Sequence, residues 1–210
     1  MMKPELWDPL NPISHSYARP AEAEIESIED QINFAQESGF RGQLHIVHVS
    51  TPQSVDLIEK TKKEEPQFKL SCGVTPHHCV LNLEMMTDSK EAILYKVNPP
   101  LRNEKSANRM LDYLKEGKID LIETDHAPHI LREKIEPPFM SGFPGLPFVP
   151  HFLKYLREKG FSEEEILNLT HFNVSKIFGI NIPITTRKIN FDLESEYEVD
   201  VYRKVREKWK

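Results

Sequence analysis

Four short apolar runs in this sequence are each followed by a residue that can bind a metal ion or a polar substrate. These residues are His48, His77, Asn98 and Asp125. Imidazole nitrogens and carboxylate oxygens are the usual ligands of catalytic zinc, which keeps one position open for water. Because a bound metal activates that water as a nucleophile, the pattern predicts a hydrolytic metal site.

The neighbouring residues, rather than the residue type alone, support His48 and His77 as metal ligands. Taken alone, His48 or His77 would more often be a hydrogen-bonded structural histidine. His45 lies three residues before His48, so the two side chains point to opposite faces of a strand, and we expect only His48 to face the site. Pro76 stiffens the approach to His77, which we take as a second metal ligand, and we expect His78 to face elsewhere.

Asp125 is the strongest single candidate for chemistry. It follows an apolar run and is flanked by His126 and His129. Such a cluster is a poor choice for an apolar core and a good one for a metal ligand or a group that moves protons. We therefore predict that Asp125 is a metal ligand or a proton shuttle.

Two further segments are suited to binding a substrate. Asn98 and Arg102 flank a Pro-Pro pair, and an amide and a guanidinium on a rigid turn suit a planar ligand that bears a carboxylate. Arg102 fits a solvent-facing loop equally well. Gly142 lies in a turn-forming segment whose glycines allow close backbone approach, so its amide is either a substrate contact or part of an ordinary glycine turn.

The elements that position these residues alternate between strand and helix. The hydrophobic periodicity predicts helices at residues 20–38, 52–63, 103–116, 146–159, 162–169 and 174–178, the last with Asn173 as its N-cap. It predicts strands at residues 43–49, 69–74, 94–97 and 119–123. This alternation indicates a parallel sheet, either doubly wound or a barrel. A barrel is favoured because barrel enzymes collect their chemistry where strands end.

Composition narrows the class of partner. The chain has 210 residues, a formal net charge of -6 and no basic stripe, so we expect a small-molecule partner and no nucleic acid. No run is long enough to cross a membrane, and the first residues are too polar for a secretory signal. Cys72 and Cys79 form no metal-binding pair or disulfide framework, so we expect both to be reduced and the protein to be cytoplasmic.

Taken together, five segments resemble the dihydroorotases, within the metal-dependent cyclic amidohydrolases. They are His15-Ser-Tyr-Ala-Arg19-Pro, His45-Ile-Val-His48-Val-Ser-Thr, Val74-Thr-Pro-His77-His78, Lys96-Val-Asn98-Pro-Pro-Leu-Arg102 and Thr124-Asp125-His126-Ala-Pro-His129. The resemblance implies an α/β fold, the TIM-barrel-like (β/α)8 amidohydrolase barrel. The Asn-Pro-Pro-Leu-Arg and Asp-His-Ala-Pro-His segments favour dihydroorotase over the allantoinases and hydantoinases, which share the metal site.

The resemblance also implies residue roles and a cofactor. His48 and His77 would bind one zinc ion, and Asp125 would bind a second and pass a proton to the leaving nitrogen. Asn98 and His129 would contact the substrate, with help from the Gly142 backbone. The reaction would interconvert N-carbamoyl-L-aspartate and dihydroorotate in pyrimidine biosynthesis.

One departure from the family pattern shapes every other expectation. The family's first strand carries a His-x-His pair, which occurs nowhere in this sequence, and many members carry a carboxylated lysine on the fourth. Residues 1–184 therefore match about strands five to eight, with residues 185–210 as a tail, either a helix or a remnant of the family's small β-sandwich. Such a half-barrel exposes two sheet edges and holds an incomplete, weak zinc site.

Three hypotheses remain open at this point. In the first, the chain is a dihydroorotase whose N-terminal half comes from another polypeptide or from sequence outside these residues, or whose partner is a second copy of itself. In the second, it is a non-catalytic amidohydrolase-like subunit that serves as a scaffold for a neighbouring pyrimidine enzyme. In the third, it is a degenerate remnant that does not fold stably. Among enzymes, an allantoinase or hydantoinase type is the alternative.

Overall fold

Three parallel strands form the sheet in this computed structural model, which describes residues 1–86, 91–184 and 196–208. The strands are β1 (Gln43–Ile46), β2 (Lys69–Val74) and β3 (Leu121–Ile122), in the order β1-β2-β3. Gln43 is paired with Lys69, and Gly73 with Leu121. Because all three run in the same direction, their carboxyl ends lie along one edge of the sheet.

Helices connect and cover these strands, as the alternating pattern predicts. They are α1 (Ser14–Ala18), α2 (Ala21–Glu37), α3 (Pro52–Lys63), α4 (Pro76–Val80), α5 (Glu104–Lys115), α6 (Leu131–Ile135), α7 (Val149–Glu158), α8 (Glu163–Leu167), α9 (Asn173–Phe178) and α10 (Arg203–Lys208). Short 3-10 turns occupy Pro4–Leu6, Leu83–Met86, Ala92–Tyr95 and Leu146–Phe148, and a π-helical turn covers Asn168–Phe172.

Two of the predicted elements are wrong. The segment at residues 94–97 is not a strand, because Ala92–Tyr95 closes a 3-10 turn in which the Lys96 amide donates to the carbonyl of Ile93. Asn173 is not an N-cap, because the preceding π-helical turn runs directly into α9. Its side chain donates instead to the carbonyl of Asp120 at 2.6 Å. The strands at residues 43–49 and 119–123 are also shorter than predicted.

The core lies between the sheet and α2, α3 and α5. Helix α3 begins at a Thr51 cap, whose hydroxyl accepts the Ser54 amide at 3.3 Å, and it buries Val55 and Ile58 completely. Helix α5 buries Met110 and Leu114 on the face toward α3 and α4. Cys72 and Cys79 are buried and form no disulfide. Burial of these apolar side chains drives the sheet and helices together.

The described part of the C-terminal segment packs against the rest of the chain. Val199, Val201, Tyr202 and Val205 are buried, and the Tyr202 ring stacks on Phe148 with ring centres 3.7 Å apart. Residues 185–195 and 209–210 of the predicted tail lie outside the described residues. Along the part of the chain that the structure describes, no helix combines the length and apolarity needed to cross a membrane.

Candidate metal and substrate site

The backbone turns sharply at two of the predicted site residues. His48 and Asp125 both have φ near 41°, in the left-handed region that residues with a Cβ rarely adopt. Each lies a few residues past its strand, β1 for His48 and β3 for Asp125. Strained backbone of this kind is common at functional sites, because surrounding structure must hold it in place.

Glu123 is the residue that ties these two strand ends together. Its carboxylate accepts the His48 amide at 2.6 Å and lies 3.0 Å from Nε2 of His45. It crosses over Gly73 of β2, where an added Cβ would lie only 2.4 Å from the Glu123 Cδ. Glu123 therefore contacts His45 through its ring and His48 through its backbone amide, because β1 ends at Ile46 and the backbone turns before His48.

Within the described part of the chain, His48 and His77 each present a buried ring nitrogen without a hydrogen-bond partner. These atoms are Nδ1 of His48 and Nε2 of His77. Burial, and then the charges of His78 and His48, hold the pKa of His77 well below its usual range, so its imidazole is neutral. A neutral imidazole with a free ring nitrogen is the form that binds a metal. The second nitrogen of His77 lies 3.3 Å from the Tyr202 hydroxyl, an arrangement that fixes the orientation of a metal-binding ring.

Asp125 lies within electrostatic reach of the same groups. Burial raises its pKa, the charge of His48 partly offsets this, and the carboxylate of Glu123 adds to the rise. The charge of Asp125 also contributes to the raised pKa of Tyr202. A carboxylate with a raised pKa is better able to hold and release a proton near neutrality.

The residues present fit part of a zinc site and not the whole of one. The two free imidazole nitrogens are suitable ligands, yet among the described residues no group of three or more His, Cys, Asp or Glu side chains converges on one point. Catalytic zinc usually takes three protein ligands and a water. His48, His77 and Asp125 are thus brought near one another without forming a closed site.

Asn98 lines a groove of about 780 Å³ that also includes Arg19, His45 and His48. The groove lies beside β1, which in the described residues has a strand neighbour on one side only. Asn98 is exposed, and its Oδ1 lies 3.0 Å from Nε2 of the buried His15. The predicted substrate-binding amide is therefore on an open surface beside a candidate metal ligand.

Arg102 borders this groove but is already engaged. Its guanidinium donates to the Ser50 hydroxyl at 2.9 Å, to the Arg19 carbonyl at 2.7 Å and to Glu24 at 3.5 Å. Glu24 also accepts from Ser54 and from the backbone of Ser50, and the Arg102 charge lowers its pKa against the effect of burial. The structure gives Arg102 a structural ion pair that joins α2 to the segment after Pro100.

The remaining two predicted residues lie on either side of α6, His129 before it and Gly142 after it. His129 lies 3.2 Å from the carbonyl of Ser141 and 3.2 Å from the carboxylate of Glu133. The Gly142 amide, expected to face a substrate, donates to the carbonyl of Lys96 at 2.9 Å, and its own carbonyl accepts from the buried Lys134 at 2.7 Å. The His129 ring therefore contacts the residue next to Gly142, and the Gly142 amide is occupied.

Glu123 and Tyr202 are not among the residues that the local sequence pattern singles out. Each contacts a predicted site residue from a distant part of the chain, Glu123 the His48 amide and Tyr202 the His77 ring. His78 is engaged away from His48, with its two ring nitrogens 2.8 Å from the Thr75 hydroxyl and 3.1 Å from the Pro99 carbonyl. Only the small residue Gly73, which leaves space for Glu123, hints at the crossing.

Comparison with known proteins gives matches to dihydroorotases in sequence and to dihydropyrimidinases and hydantoinases in structure, each over less than half of the matched protein. Over 179 residues the chain is 36% identical to a dihydroorotase from Methanosphaera stadtmanae, covering 82% of this chain and 39% of that protein. A dihydropyrimidinase from Brevibacillus agri matches in structure with a TM-score of 0.72 and 26% identity, over 80% of this chain and 38% of that one. An L-hydantoinase (dihydropyrimidinase) from Arthrobacter aurescens gives a TM-score of 0.71 and 26% identity, over 87% and 41%. No family model matches the chain. The chain spans only 32% to 43% of the length of the curated dihydroorotases it matches.

Proposed function

The chain is a relative of the dihydroorotases and the wider cyclic amidohydrolases, and on that premise we propose that it supplies about strands five to eight of a hydrolase barrel. In this proposal, residues 1–184 form the partial barrel and residues 185–210 are a C-terminal tail, either a helix or a remnant of the family's small β-sandwich. The complete barrel hydrolyses a cyclic amide, and the substrate pair is N-carbamoyl-L-aspartate and dihydroorotate.

The observation that carries this proposal is the pair of buried imidazole nitrogens without partners, on His48 and His77. Burying a polar nitrogen without a hydrogen bond costs free energy. Two such atoms near a carboxylate of raised pKa, Asp125, are explained by a ligand that binds them. These donors fit part of a zinc site, and zinc, when bound, would polarise the water that attacks the substrate amide.

The residues of this chain have separate roles in the proposed reaction. Asp125 takes a proton as the ring amide carbonyl is attacked and passes it to the departing ring nitrogen, a transfer that its raised pKa favours. Asn98 orients the substrate from the groove, and His129 contacts it from the segment before α6. Further metal ligands would come from the N-terminal half of the barrel, on another polypeptide or in additional sequence of the same chain.

The open edge of β1 supports a requirement for that second half. An unpaired strand edge and the half-exposed Leu44 and Ile46 are surfaces that a neighbouring strand would cover. Val47, just past β1, leaves 48% of its surface exposed. We therefore propose that the functional unit is a complex with a complementary half or an oligomer.

A non-catalytic role is the second candidate, and a specific observation favours it. In the described residues no closed metal cluster exists, and His77 is fully buried beneath Tyr202. A subunit of this kind would bind a neighbouring enzyme of pyrimidine synthesis and would need none of its imidazoles. A hydantoinase-type reaction is the alternative within the enzymes, since the structural neighbours are dihydropyrimidinases and hydantoinases.

Carbamoyl-aspartate cyclisation by the purified complex tests the proposal. We expect Asp125→Asn to abolish cyclisation while the complex still assembles, and Asp112→Asn on the exposed face of α5 to leave the rate unchanged. Hydantoin and dihydrouracil, assayed in parallel, separate the substrate classes. An active complex in which Asp125→Asn keeps the full rate would refute the assignment of Asp125, and assembly without any cyclic amide hydrolysis would favour the scaffold.

A further inference from the structure

A lysine in α6 is fully buried without a carboxylate beside it. Lys134 leaves 0% of its surface exposed, and its Nζ donates to the carbonyl of Lys96 at 2.8 Å and to the carbonyl of Gly142 at 2.7 Å. In the described ranges 1–86, 91–184 and 196–208, no ion pair involves Lys134. Lysine is rarely buried completely unless it is paired, because an unpaired buried charge costs free energy. An apolar side chain would fill this position at lower cost, so the two oxygens that the amino group binds explain its presence.

The amino group of Lys134 keeps both hydrogen bonds in either charge state. Burial, and then the charge of Lys96, lower the pKa of Lys134 to about 7. The ammonium form has three N–H donors and the neutral amine has two, so either form satisfies both carbonyl oxygens. The contact therefore persists across the neutral pH range.

A second lysine binds the same segment. Lys96 leaves 8% of its surface exposed, and its Nζ donates to the carbonyl of Phe139 at 2.6 Å and to the hydroxyl of Ser141 at 2.7 Å. The Gly142 amide donates to the carbonyl of Lys96 at 2.9 Å. We call these hydrogen bonds, together with the two made by Lys134, the lysine staple. It joins residues 139–142 and α6 to residues 96–98.

The lysine staple connects the two predicted substrate contacts, Asn98 and His129. Asn98 follows Lys96 by two residues, and the His129 ring lies 3.2 Å from the carbonyl of Ser141. The hydrogen bonds of the staple include neither His48 nor His77. Breaking the staple should therefore move the substrate contacts and leave the histidine ligands in place.

We propose that Lys134 is a positioning residue that sets the placement of Asn98 relative to His129, by holding residues 139–142 against residues 96–98. Lys96, through its Nζ, is the second positioning residue of the staple. The inference rests on the proposed function and deepens it, because it assigns substrate positioning to an amino group that is bound only to backbone oxygens.

Steady-state kinetics of the purified complex with L-dihydroorotate test this role. Lys134→Met keeps most of the apolar length of the side chain and removes its donors. We expect KM to rise by about tenfold to a hundredfold, the loss that follows a small misplacement of positioning groups, while kcat and the zinc count stay unchanged. Lys105→Met, at an exposed lysine on α5, is the matched control.

Two further variants guard against a loss that reflects only misfolding. Ser141→Ala removes one acceptor of the Lys96 amino group and keeps Lys134, so KM should rise by about twofold to tenfold. Lys134→Arg keeps N–H donors and should recover part of the native KM. A merely structural lysine would lower the amount of folded complex, and with it the rate per mole of protein, without changing KM.

Hydrogen exchange and ligand binding supply readouts that do not depend on turnover. Mass spectrometry should show faster exchange of the peptide containing Gly142 in Lys134→Met, with the peptide containing His77 unchanged. Calorimetric titration with orotate, the conjugated form of the same ring, which resists ring opening, should show a loss of affinity of the same size as the rise in KM.

The outcomes separate this inference from the proposed function. An active complex in which Lys134→Met keeps the native KM and orotate affinity would overturn the positioning role and leave the hydrolase standing. If Lys134→Met does not assemble, an unchanged KM in Ser141→Ala overturns the role. Orotate binding that weakens in Lys134→Met, in a native complex that hydrolyses no cyclic amide, would support the staple and contradict the hydrolase. A native complex that neither hydrolyses L-dihydroorotate nor binds orotate would contradict both.

Discussion

Replacing Gly73 by alanine tests whether Glu123 ties the ends of β1 and β3 together. A Cβ at Gly73 would lie 2.4 Å from the Glu123 Cδ and 2.5 Å from Oε2, where an ordinary contact begins at 3.4 Å. The carboxylate must therefore move by 3.4 − 2.4 = 1.0 Å or more. Oε2 is also the atom that accepts the His48 amide at 2.6 Å, so a shift of this size disturbs that hydrogen bond.

The expected cost follows from the bonds that are lost. A hydrogen bond to a charged group contributes about 1.5 to 3 kcal/mol, so Gly73→Ala should lower the free energy of unfolding by about 2 kcal/mol. In a Glu123→Ala background the obstruction is gone, and Gly73→Ala should be neutral or stabilise by about 0.5 kcal/mol, as in an ordinary strand. The coupling between the two sites is then about 2 kcal/mol.

Urea unfolding of the four proteins in this double-mutant cycle measures the coupling. Gly117→Ala combined with Glu123→Ala is the control, because nothing lies within 4 Å of a Cβ at Gly117 and the two changes should add. If Gly73→Ala costs the same with and without Glu123, the carboxylate does not cross β2 and does not hold the His48 turn.

Three other perturbations have defined outcomes. The pKa of His15 falls from 6.5 to about 4 on folding, so the unfolded chain binds this proton first and the free energy of unfolding should decrease as the pH falls from 6.5 to 4. Urea unfolding at a series of pH values should show that His15→Gln removes about 3 kcal/mol of this loss. An unchanged loss of stability in acid would contradict this expectation. Tyr202→Phe should weaken zinc binding about tenfold to a hundredfold, because Nδ1 of His77 loses its 3.3 Å partner. Calorimetric titration of the complex with zinc measures this affinity, and an unchanged affinity would show that Tyr202 does not support the metal site. Arg102→Met should lower the free energy of unfolding by about 3 to 5 kcal/mol, because it leaves Glu24 buried without a counter-charge. Adding Glu24→Gln should recover much of this stability, as measured by thermal unfolding. If Arg102 served only to bind substrate, Arg102→Met would not reduce stability.

The sequence predicts best where periodicity and caps agree. Helices α2, α3 and α5 and strand β2 lie within a residue or two of their predicted bounds, because each has a clear apolar spacing and a recognisable start or stop. The strand predicted at residues 94–97 is wrong because a short apolar run fits a buried 3-10 turn equally well. Local pattern does not decide between the two when tertiary contacts fix the backbone.

For the candidate site, too, the sequence predicts some residues and misses others. Residue type and position at strand ends singled out His48, His77, Asn98 and Asp125, and these remain the predicted site residues. Glu123 and Tyr202, which contact His48 and His77, come from distant segments and have no local signature. Arg102 shows the limit most clearly, since its type suits carboxylate binding and only the fold reveals that Glu24 is the carboxylate in contact.

The most direct test of the proposed split hydrolase is native mass spectrometry of the protein purified gently from its own cells, reading the mass of any partner and the zinc count together. We predict a complex with a complementary barrel half, within a longer chain or as a second polypeptide, that carries two zinc ions per assembled barrel. A chain without metal, alone or bound only to another enzyme, would contradict the catalytic proposal and favour the scaffold.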